Sequence, residues 1–148
     1  MATTSSNIEN STNTWNAPSA QPLILVADDD ADTRLMFRTM LEFRGYSVIE
    51  AADGEEVIQL AESARPDLIL MDISLPRVNG LEAARRIRQS GHAGRVPVVF
   101  ISGHPEASFL ALAREAGGDE YLVKPLSRGQ LGGVLEKYLG HHARAFAI

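Results

Sequence analysis

Four short apolar runs recur along this chain, and their spacing constrains its fold more than any other feature. The runs occupy residues 23–27, 68–71, 98–101 and 121–123. Unbroken apolar runs of this length are typical of β-strands that are buried on both faces. A more mixed segment, Ser-Val-Ile-Glu at residues 47–50, suits the edge of a sheet. The chain therefore contains five candidate strands.

The segments between and after these strands carry apolar residues at the three-and-four spacing of amphipathic helices, whose apolar stripes normally face the core. Strands that alternate with helices form a parallel sheet covered on both sides. We therefore predict an α/β fold, a doubly wound (βα)5 sandwich, over residues 22–140. The predicted stripes are Met36, Met40 and Phe43; Val57, Leu60, Ala61 and Ala64; Leu81, Ala84 and Ile87; Phe109, Leu112, Ala113 and Ala116; and Leu131, Val134, Leu135 and Tyr138.

The residues at the expected helix starts agree with this interpretation. Asp53 with Glu56, and Ser127 with Gln130, have the spacing of a capping box, in which each side chain satisfies a free backbone N–H of the first turn. Pro105 is predicted to lie in the first turn of the fourth helix, where its missing N–H costs nothing.

Composition excludes several classes of function. The chain has 148 residues, 45% of them hydrophobic, which fits one ordinary globular domain. A formal net charge of −5 provides no positive electrostatic field to attract nucleic acid. We predict that the basic cluster Arg85, Arg86 and Arg88 is a solvated helix face. The chain has no cysteine, which excludes disulfides, thiolate zinc sites and cysteine nucleophiles. We therefore expect no direct nucleic acid partner.

The two ends of the chain differ from its centre. Residues 1–21 are rich in Ser, Thr and Asn and contain few aliphatic residues, which predicts a disordered tail. Residues 141–148 are predicted to be a short C-terminal tail. No apolar stretch approaches the length of a membrane span, and the first residues lack the basic-then-apolar order of a secretory signal. We therefore expect a cytoplasmic protein without a membrane partner.

Polar side chains follow the predicted strands at their carboxyl ends, where an open parallel sheet binds its ligands. Residues 28–30 are Asp-Asp-Asp after the first strand, and Asp72 follows the third. Ser102 and Lys124 end the fourth and fifth strands. Three carboxylates, one hydroxyl and one ammonium are therefore expected to converge.

This set of groups favours phosphoryl chemistry beside a magnesium ion. Neighbouring carboxylates raise one another's pKa unless a cation intervenes, and Mg²⁺ binds one or two carboxylates together with waters and phosphate oxygens. Flanked by the metal and Lys124, Asp72 is suited to attack phosphorus in line, and Ser102 to donate a hydrogen bond to the product. Any of these aspartates alone would more simply be a helix cap or a turn residue. For Asp30 we predict a capping or a solvent-exposed role rather than ligation.

Four segments of the sequence resemble the signatures of the bacterial response-regulator receiver domain, and the resemblance covers about residues 23–139. The segments are Leu-Val-Ala-Asp-Asp-Asp at 25–30; Asp-Leu-Ile-Leu-Met-Asp-Ile-Ser-Leu-Pro at 67–76, with Asn-Gly at 79–80; Val-Phe-Ile-Ser-Gly at 99–103; and Tyr-Leu-Val-Lys-Pro at 121–125. The resemblance implies a flavodoxin-like, five-stranded parallel sheet with the strand order 2-1-3-4-5.

The resemblance also implies roles for the site residues. Asp72 is expected to be the phosphoacceptor. Asp28 and Asp29 are expected to bind Mg²⁺ together with Asp72, and the backbone carbonyl of Ser74 to complete the protein ligands. Lys124 is expected to contact the phosphoryl group.

Two further expectations follow from the same resemblance. Ser102 and Tyr121 are expected to form a switch pair that responds to phosphorylation. The peptide bond between Lys124 and Pro125 is expected to be cis, an isomer that prolyl bonds tolerate at small cost.

The function implied is that of a stand-alone response regulator in a two-component phosphorelay, which catalyses only its own phosphorylation and dephosphorylation. A histidine kinase or a phosphotransfer protein is the expected donor. Because only eight residues follow Gly140 and the first 21 are polar, the output is expected to pass to a separate protein.

Two alternatives are kept. One is a degenerate receiver that acts as a phosphorylation-independent scaffold. The presence of all the expected site residues argues against it: Asp28, Asp29, Asp72, Ser102 and Lys124. The other is an aspartyl-phosphate phosphohydrolase, which usually has a second acid two residues after the nucleophile, where this chain has Ser74.

Overall fold

Five strands alternate with five α-helices in this computed structural model, which describes residues 21–140. The elements are β1 (Leu23–Ala27), α1 (Ala31–Phe43), β2 (Ser47–Ala51), α2 (Gly54–Ser63), β3 (Leu68–Met71), α3 (Gly80–Gln89), β4 (Val98–Ser102), α4 (Ala107–Glu115), β5 (Glu120–Val123) and α5 (Arg128–Leu139), with a 3-10 helix at His92–Arg95 between α3 and β4. The predicted tails lie outside the described residues, apart from Gln21.

The strands form one parallel sheet in the order β2-β1-β3-β4-β5. This confirms the predicted order and the doubly wound α/β class. The mixed segment at residues 47–50 lies in β2 at one edge of the sheet, as expected. The central strands β1, β3 and β4 are almost entirely buried, because helices cover both of their faces.

Alternate residues of the central strands point to two separate cores. Leu25 and Ile69 pack in the core under α2, α3 and α4, while Ile24 and Leu70 pack in the core under α1 and α5. Two cores of this kind follow from the period of two in a strand, since successive side chains point to opposite faces. The sheet is thus held from both sides, and its carboxyl end is left free.

The prediction for the apolar stripe of α1 is wrong. Phe37 and Leu41 are buried in this helix, whereas Met36 is 50% exposed and Phe43 is 82% exposed. The physical reason is that the helix carries apolar residues along more than one stripe. Phe37 and Leu41 pack in the core under α1 and α5, and Met40 is only partly buried against it. The stripe of Met36, Met40 and Phe43 therefore faces outward in part; we call it the α1 stripe.

Two further expectations are corrected. The run at residues 121–123 is only partly buried, and Val123 is 36% exposed, because β5 is the second edge of the sheet and pairs only with β4. Pro105 lies before α4 rather than in its first turn. The N-cap, Glu106, has an extended backbone, so that the helix begins at Ala107.

The predicted helix caps are present with one modification. At α5, Ser127 and Gln130 form both hydrogen bonds of a capping box. At α2, Asp53 accepts a hydrogen bond from the Glu56 N–H at 2.9 Å, but the Glu56 carboxylate accepts one from the Ala52 N–H instead of from Asp53.

The solvated face predicted for the arginines of α3 includes two of the three. Arg85 and Arg86 pair with Glu82 at the surface. Arg88 instead turns inward, and its guanidinium donates to the carbonyl oxygens of Gly94 and Gly117. The difference arises from position, since the last turn of α3 lies against the segments that lead into β4 and β5. None of the helices in the described part of the chain is long and apolar enough to cross a membrane.

Candidate functional site

The carboxyl end of the sheet gathers the polar residues that follow its strands. Parallel pairing places Ala27 beside Met71, and Ser102 beside Val123, so that the residues after them lie at one edge. Asp28 and Asp72 are held there by backbone hydrogen bonds, from the Asp28 N–H to Ala51 and from the Asp72 N–H to Ala27. The sheet itself therefore places both aspartates.

Three carboxylates form a compact cluster at this edge. Asp28, Asp29 and Asp72 each present one oxygen, and these atoms lie within 4.8 Å of one another. Asp28 is buried, Asp29 is exposed and Asp72 lies between these extremes, with 13% of its side chain exposed. A small hard cation that binds oxygen ligands and keeps waters on its open side fits this donor set.

Lys124 supplies the positive charge of the site. Its ammonium lies 3.0 Å from Oδ2 of Asp28 and 3.1 Å from Oδ2 of Asp72. Burial lowers the pKa of Lys124, but the hydrogen bonds that its ammonium donates to Asp28 and Asp72 more than offset this and leave the pKa above its ordinary value. Lys124 is therefore charged at neutral pH. The peptide bond to Pro125 is cis, which confirms the expectation.

Asp72 is held through both of its carboxylate oxygens. Its Oδ1 accepts a hydrogen bond from the Ser74 N–H at 3.1 Å, while its Oδ2 accepts from Lys124. The Ser74 backbone thus lies next to the cluster, and the use of its carbonyl oxygen as a metal ligand stays a prediction. The Asp72 carboxylate is thus flanked by an ammonium and two further carboxylates.

Ser102 and Tyr121 are linked through one residue, His104. Ser102 is fully buried, and its Oγ accepts a hydrogen bond from the His104 N–H at 3.2 Å. The Tyr121 hydroxyl donates to the His104 carbonyl oxygen at 2.5 Å. The imidazole of His104 stacks on Phe109 with the ring centres 4.2 Å apart. The two residues expected to form a switch therefore contact the same peptide segment.

The third aspartate of the run, Asp30, has the capping role, one of the two predicted for it. Asp30 caps α1 by accepting hydrogen bonds from the N–H and the hydroxyl of Thr33, at 3.1 and 2.6 Å. The side-chain hydrogen bond from Thr33 is the largest cause of the lowered pKa of Asp30. Asp30 is thus a cap rather than a member of the carboxylate cluster.

The sequence interpretation missed Arg34. Its guanidinium donates to the Asp28 carbonyl oxygen at 2.7 Å and to the Glu50 carboxylate at 2.9 Å. No local pattern marks this residue, because one of its partners is a backbone atom and the other lies 16 residues away on β2. Its only sequence signal is the position of an arginine on the first helix after an acidic run.

Comparison with known proteins identifies the family of this chain. Residues 24–136 match the family model described as the response regulator receiver domain. Among curated relatives, the chain is 42% identical to the CAI-1 autoinducer sensor kinase/phosphatase CqsS of Vibrio cholerae over 109 residues, which cover 73% of this chain and 16% of that protein. It is 38% identical to the transcriptional regulatory protein PdtaR of Mycobacterium tuberculosis over 125 residues, covering 83% and 60% of the two chains.

A solved structure is also similar to this chain. The receiver domain of the sensor histidine kinase PA1611 from Pseudomonas aeruginosa, with a magnesium ion coordinated in its active site cleft, is 33% identical. The TM-score is 0.76, and the alignment covers 82% of this chain and 99% of that one. The chain spans less than two thirds of the length of the curated relatives named above, so the likeness concerns one domain of those proteins.

Proposed function

Because this chain belongs to the response regulator receiver domain family, we propose that it accepts a phosphoryl group on Asp72 and acts as a response regulator of a two-component phosphorelay. Phosphorylation and Mg²⁺ are general features of this family. The observation that carries the proposal for this chain is the ammonium of Lys124, which bridges Asp28 and Asp72 beside the exposed carboxylate of Asp29.

The residues of the chain account for the transfer step. An Oδ atom of Asp72 forms a bond to phosphorus while the bond from phosphorus to a phosphohistidine nitrogen of the donor breaks. The electron pair of that bond stays on the imidazole, which takes up a proton. Asp72 attacks as a carboxylate and needs no general base, and Lys124 neutralises charge on the phosphoryl oxygens.

Asp28, Asp29, Asp72 and the Ser74 carbonyl oxygen are the proposed metal ligands. A bound Mg²⁺ supplies further positive charge to the phosphoryl oxygens. The buried Asp28 is already held by Lys124 and by the Asp30 N–H, at 3.0 and 2.9 Å, so that it presents its carboxylate in one orientation. Asp29 faces solvent, which leaves room for the waters that Mg²⁺ retains.

The proposed donor is a histidine kinase or a phosphotransfer protein, and we propose that it docks on the α1 stripe. A groove of about 490 Å³ lies between this stripe and the start of the segment after β5; its walls are Thr33, Met36, Phe37, Met40, Lys124, Pro125 and Leu126. The groove shares Lys124 with the site, so a partner seated in it is next to Asp72. An exposed apolar surface at this position favours a protein donor over a small anion.

If the donor protein docks in this groove, a substitution there should slow phosphorylation by the donor protein and leave phosphorylation by a small phosphodonor unchanged. Met36→Asp should slow phosphotransfer from a phosphorylated donor protein by about tenfold, while phosphorylation by acetyl phosphate stays unchanged. Leu35→Asp is the matched control, because Leu35 is 58% exposed on the same helix but does not line the groove. Equal rates for the two variants would contradict the docking site.

For the output we propose that phosphorylation repacks the Ser102–Tyr121 pair and changes the surface of α4 and β5. This surface has exposed apolar residues, Leu110, Leu112 and Val123, which suit a protein partner. We further propose that the chain works as a stand-alone regulator. The protein isolated from its own cells should then migrate at 16.1 kDa on a denaturing gel, and a larger polypeptide would contradict this.

Acetyl phosphate tests the central proposal directly. Intact mass spectrometry after incubation with and without Mg²⁺ should show one Mg²⁺-dependent phosphoryl adduct, which is absent from Asp72→Asn. The matched control is Asp30→Asn, since it removes a nearby carboxylate outside the cluster and keeps a side chain that caps α1. An adduct that persists in Asp72→Asn refutes the acceptor, and no adduct on the parent favours the degenerate scaffold. Repeated hydrolysis of a phosphomonoester would favour a phosphohydrolase.

A further inference from the structure

We infer that Arg34 is a positioning residue for the acidic pair Asp28 and Asp29, and that its guanidinium determines how tightly the carboxylate cluster binds Mg²⁺. The inference rests on the metal site proposed above. Arg34 lies outside the carboxylate cluster, and its guanidinium bonds the acidic pair through the backbone carbonyl oxygen of Asp28.

Arg34 reaches back from the first turns of α1 to the end of β1. Its Nη1 donates to the Asp28 carbonyl oxygen at 2.7 Å, and its own N–H bonds the Asp30 carbonyl oxygen at 3.1 Å. The Arg34 side chain is only 17% exposed. A charged donor that is largely shielded from water forms a stronger hydrogen bond than an exposed one, which makes this contact an effective restraint.

The contact from Arg34 completes the set of bonds around Asp28. The N–H of Asp28 bonds to Ala51, its Oδ1 accepts from the Asp30 N–H, and its Oδ2 accepts from Lys124. The carbonyl oxygen is the remaining polar group, and it belongs to the peptide that leads into Asp29. Rotation of that peptide would move the Asp29 carboxylate relative to the other two.

Asp29 depends on this backbone more than its neighbours do. Within residues 21–140, no hydrogen bond holds the Asp29 carboxylate, whereas Asp28 and Asp72 are both held by Lys124. Its place in the cluster is therefore set by the peptide that Arg34 restrains.

Glu50 on β2 holds Arg34 in place. Its Oε1 accepts from Nε of Arg34 at 2.9 Å, and its Oε2 accepts from Nε of Arg38 at 2.6 Å. The hydrogen bond from Arg38 is the largest cause of the lowered pKa of Glu50, burial opposes it, and Arg34 adds to it. Glu50 is therefore ionised at neutral pH. Its carboxylate binds both Arg34 and Arg38, and of these two arginines only Arg34 reaches the acidic pair.

Positioning and simple electrostatics predict opposite results when Arg34 is replaced. Removing a positive charge near a cation site reduces repulsion, so electrostatics alone would tighten Mg²⁺ binding. Removing the restraint on the Asp28 carbonyl oxygen should weaken binding, because residues that orient metal ligands commonly contribute an order of magnitude or more to affinity. The sign of the change therefore separates the two explanations.

The test is a Mg²⁺ titration without phosphodonor, followed by NMR chemical shifts of the whole chain. Arg34→Met, which keeps the length and apolar stem of the side chain, should raise the Kd for Mg²⁺ by about tenfold. Arg38→Met is the matched control, since it breaks the other bond to Glu50 without touching Asp28, and it should stay within about twofold of the parent. Arg34→Lys, which keeps one donor, should recover most of the affinity.

A second measurement separates binding from the transfer step. The rate of phosphorylation by acetyl phosphate in Arg34→Met should approach that of the parent at saturating Mg²⁺, because only ligand placement is changed. Should Arg34→Met be unfolded at the assay temperature, Arg34→Lys carries the test, with a Kd between those of the parent and the expected tenfold change.

The outcomes distinguish this inference from the proposed function. If the parent binds Mg²⁺ and Arg34→Met binds it as tightly or more tightly, the positioning role is refuted and the metal site stands. An equal loss of Mg²⁺ affinity in Arg34→Met and Arg38→Met would also refute it, since the loss would then come from breaking an ion pair with Glu50, which both arginines form. If the parent itself binds no Mg²⁺, the proposed metal site is refuted, and this inference with it.

Discussion

Replacing Arg88 by Met tests how the sheet is held at the amino ends of β4 and β5, opposite the candidate site at the carboxyl ends. The guanidinium of Arg88 donates to three backbone carbonyl oxygens, those of Gly94, Val96 and Gly117, at distances between 2.5 and 3.1 Å. It also pairs with the Asp119 carboxylate at 2.9 Å. These partners precede β4 and β5, so one side chain of α3 joins two entries to the sheet. Met keeps the aliphatic stem and removes every donor.

The expected loss of stability can be estimated from the contacts that Arg88 makes. The ion pair with Asp119 contributes at most about 1 kcal/mol, because the Asp119 side chain is 41% exposed. Hydrogen bonds from a charged donor contribute about 1.5 to 3 kcal/mol each, but water replaces part of this, since the Arg88 side chain is 23% exposed. We therefore expect Arg88→Met to lower the free energy of unfolding by about 3 kcal/mol, within the range for breaking a partly buried network.

Urea denaturation followed by circular dichroism measures this loss. The midpoint should fall while the slope of the transition stays unchanged. Arg86→Met is the matched control. Arg86 lies on the same helix, and among residues 21–140 its guanidinium pairs with the half-exposed Glu82 alone, so the change should alter the free energy of unfolding by less than about 0.5 kcal/mol. Mg²⁺ affinity of the folded Arg88→Met protein should equal that of the parent. A loss below about 1 kcal/mol would show that water replaces the guanidinium, and the reasoning would be wrong.

Two further substitutions test the site and its switch. A methyl group in Gly80→Ala would lie 2.3 Å from the Asp72 carbonyl oxygen, so the backbone must shift; we expect phosphorylation by acetyl phosphate to slow and the free energy of unfolding to fall by about 2 kcal/mol. Gly133→Ala is the control, because its methyl group would meet no atom within 4 Å beyond its chain neighbours and the backbone of its own helix; it should be neutral or stabilising by up to about 1 kcal/mol. Rates for Gly80→Ala equal to the parent would contradict this. Ser102→Ala should still accept phosphate but lose the shift changes that beryllofluoride, a phosphoryl mimic, induces around Tyr121; a full parental pattern there would show that the coupling takes another route.

Much of this architecture could be predicted from the sequence because its signals are local. The apolar runs of β1, β3 and β4 need burial on both faces, and the residues that follow such strands must meet at one edge. The caps at Asp30 and Ser127 were predictable for the same reason, since a capping side chain bonds a backbone N–H only three residues away.

The errors concern choices that the local pattern leaves open. The apolar residues of α1 lie along two stripes, and nothing within the helix determines that Phe37 and Leu41, rather than Met36 and Phe43, pack in the core. The apolar run in β5 has the pattern of a central strand, yet its exposure depends on the missing neighbour at the sheet edge.

The sequence by itself determined the alternation of strands and helices, the parallel sheet and the acidic and basic residues at its carboxyl end, because periodicity and strand ends are properties of contiguous residues. Only the tertiary structure decided the roles of Arg34 and Arg88. Each of these arginines bonds backbone carbonyl oxygens and a carboxylate, and the carboxylates, Glu50 and Asp119, lie 16 and 31 residues away along the chain. Every residue carries such a carbonyl oxygen, so no sequence pattern marks the one that an arginine will reach. The folded backbone alone brings that oxygen within hydrogen-bonding distance.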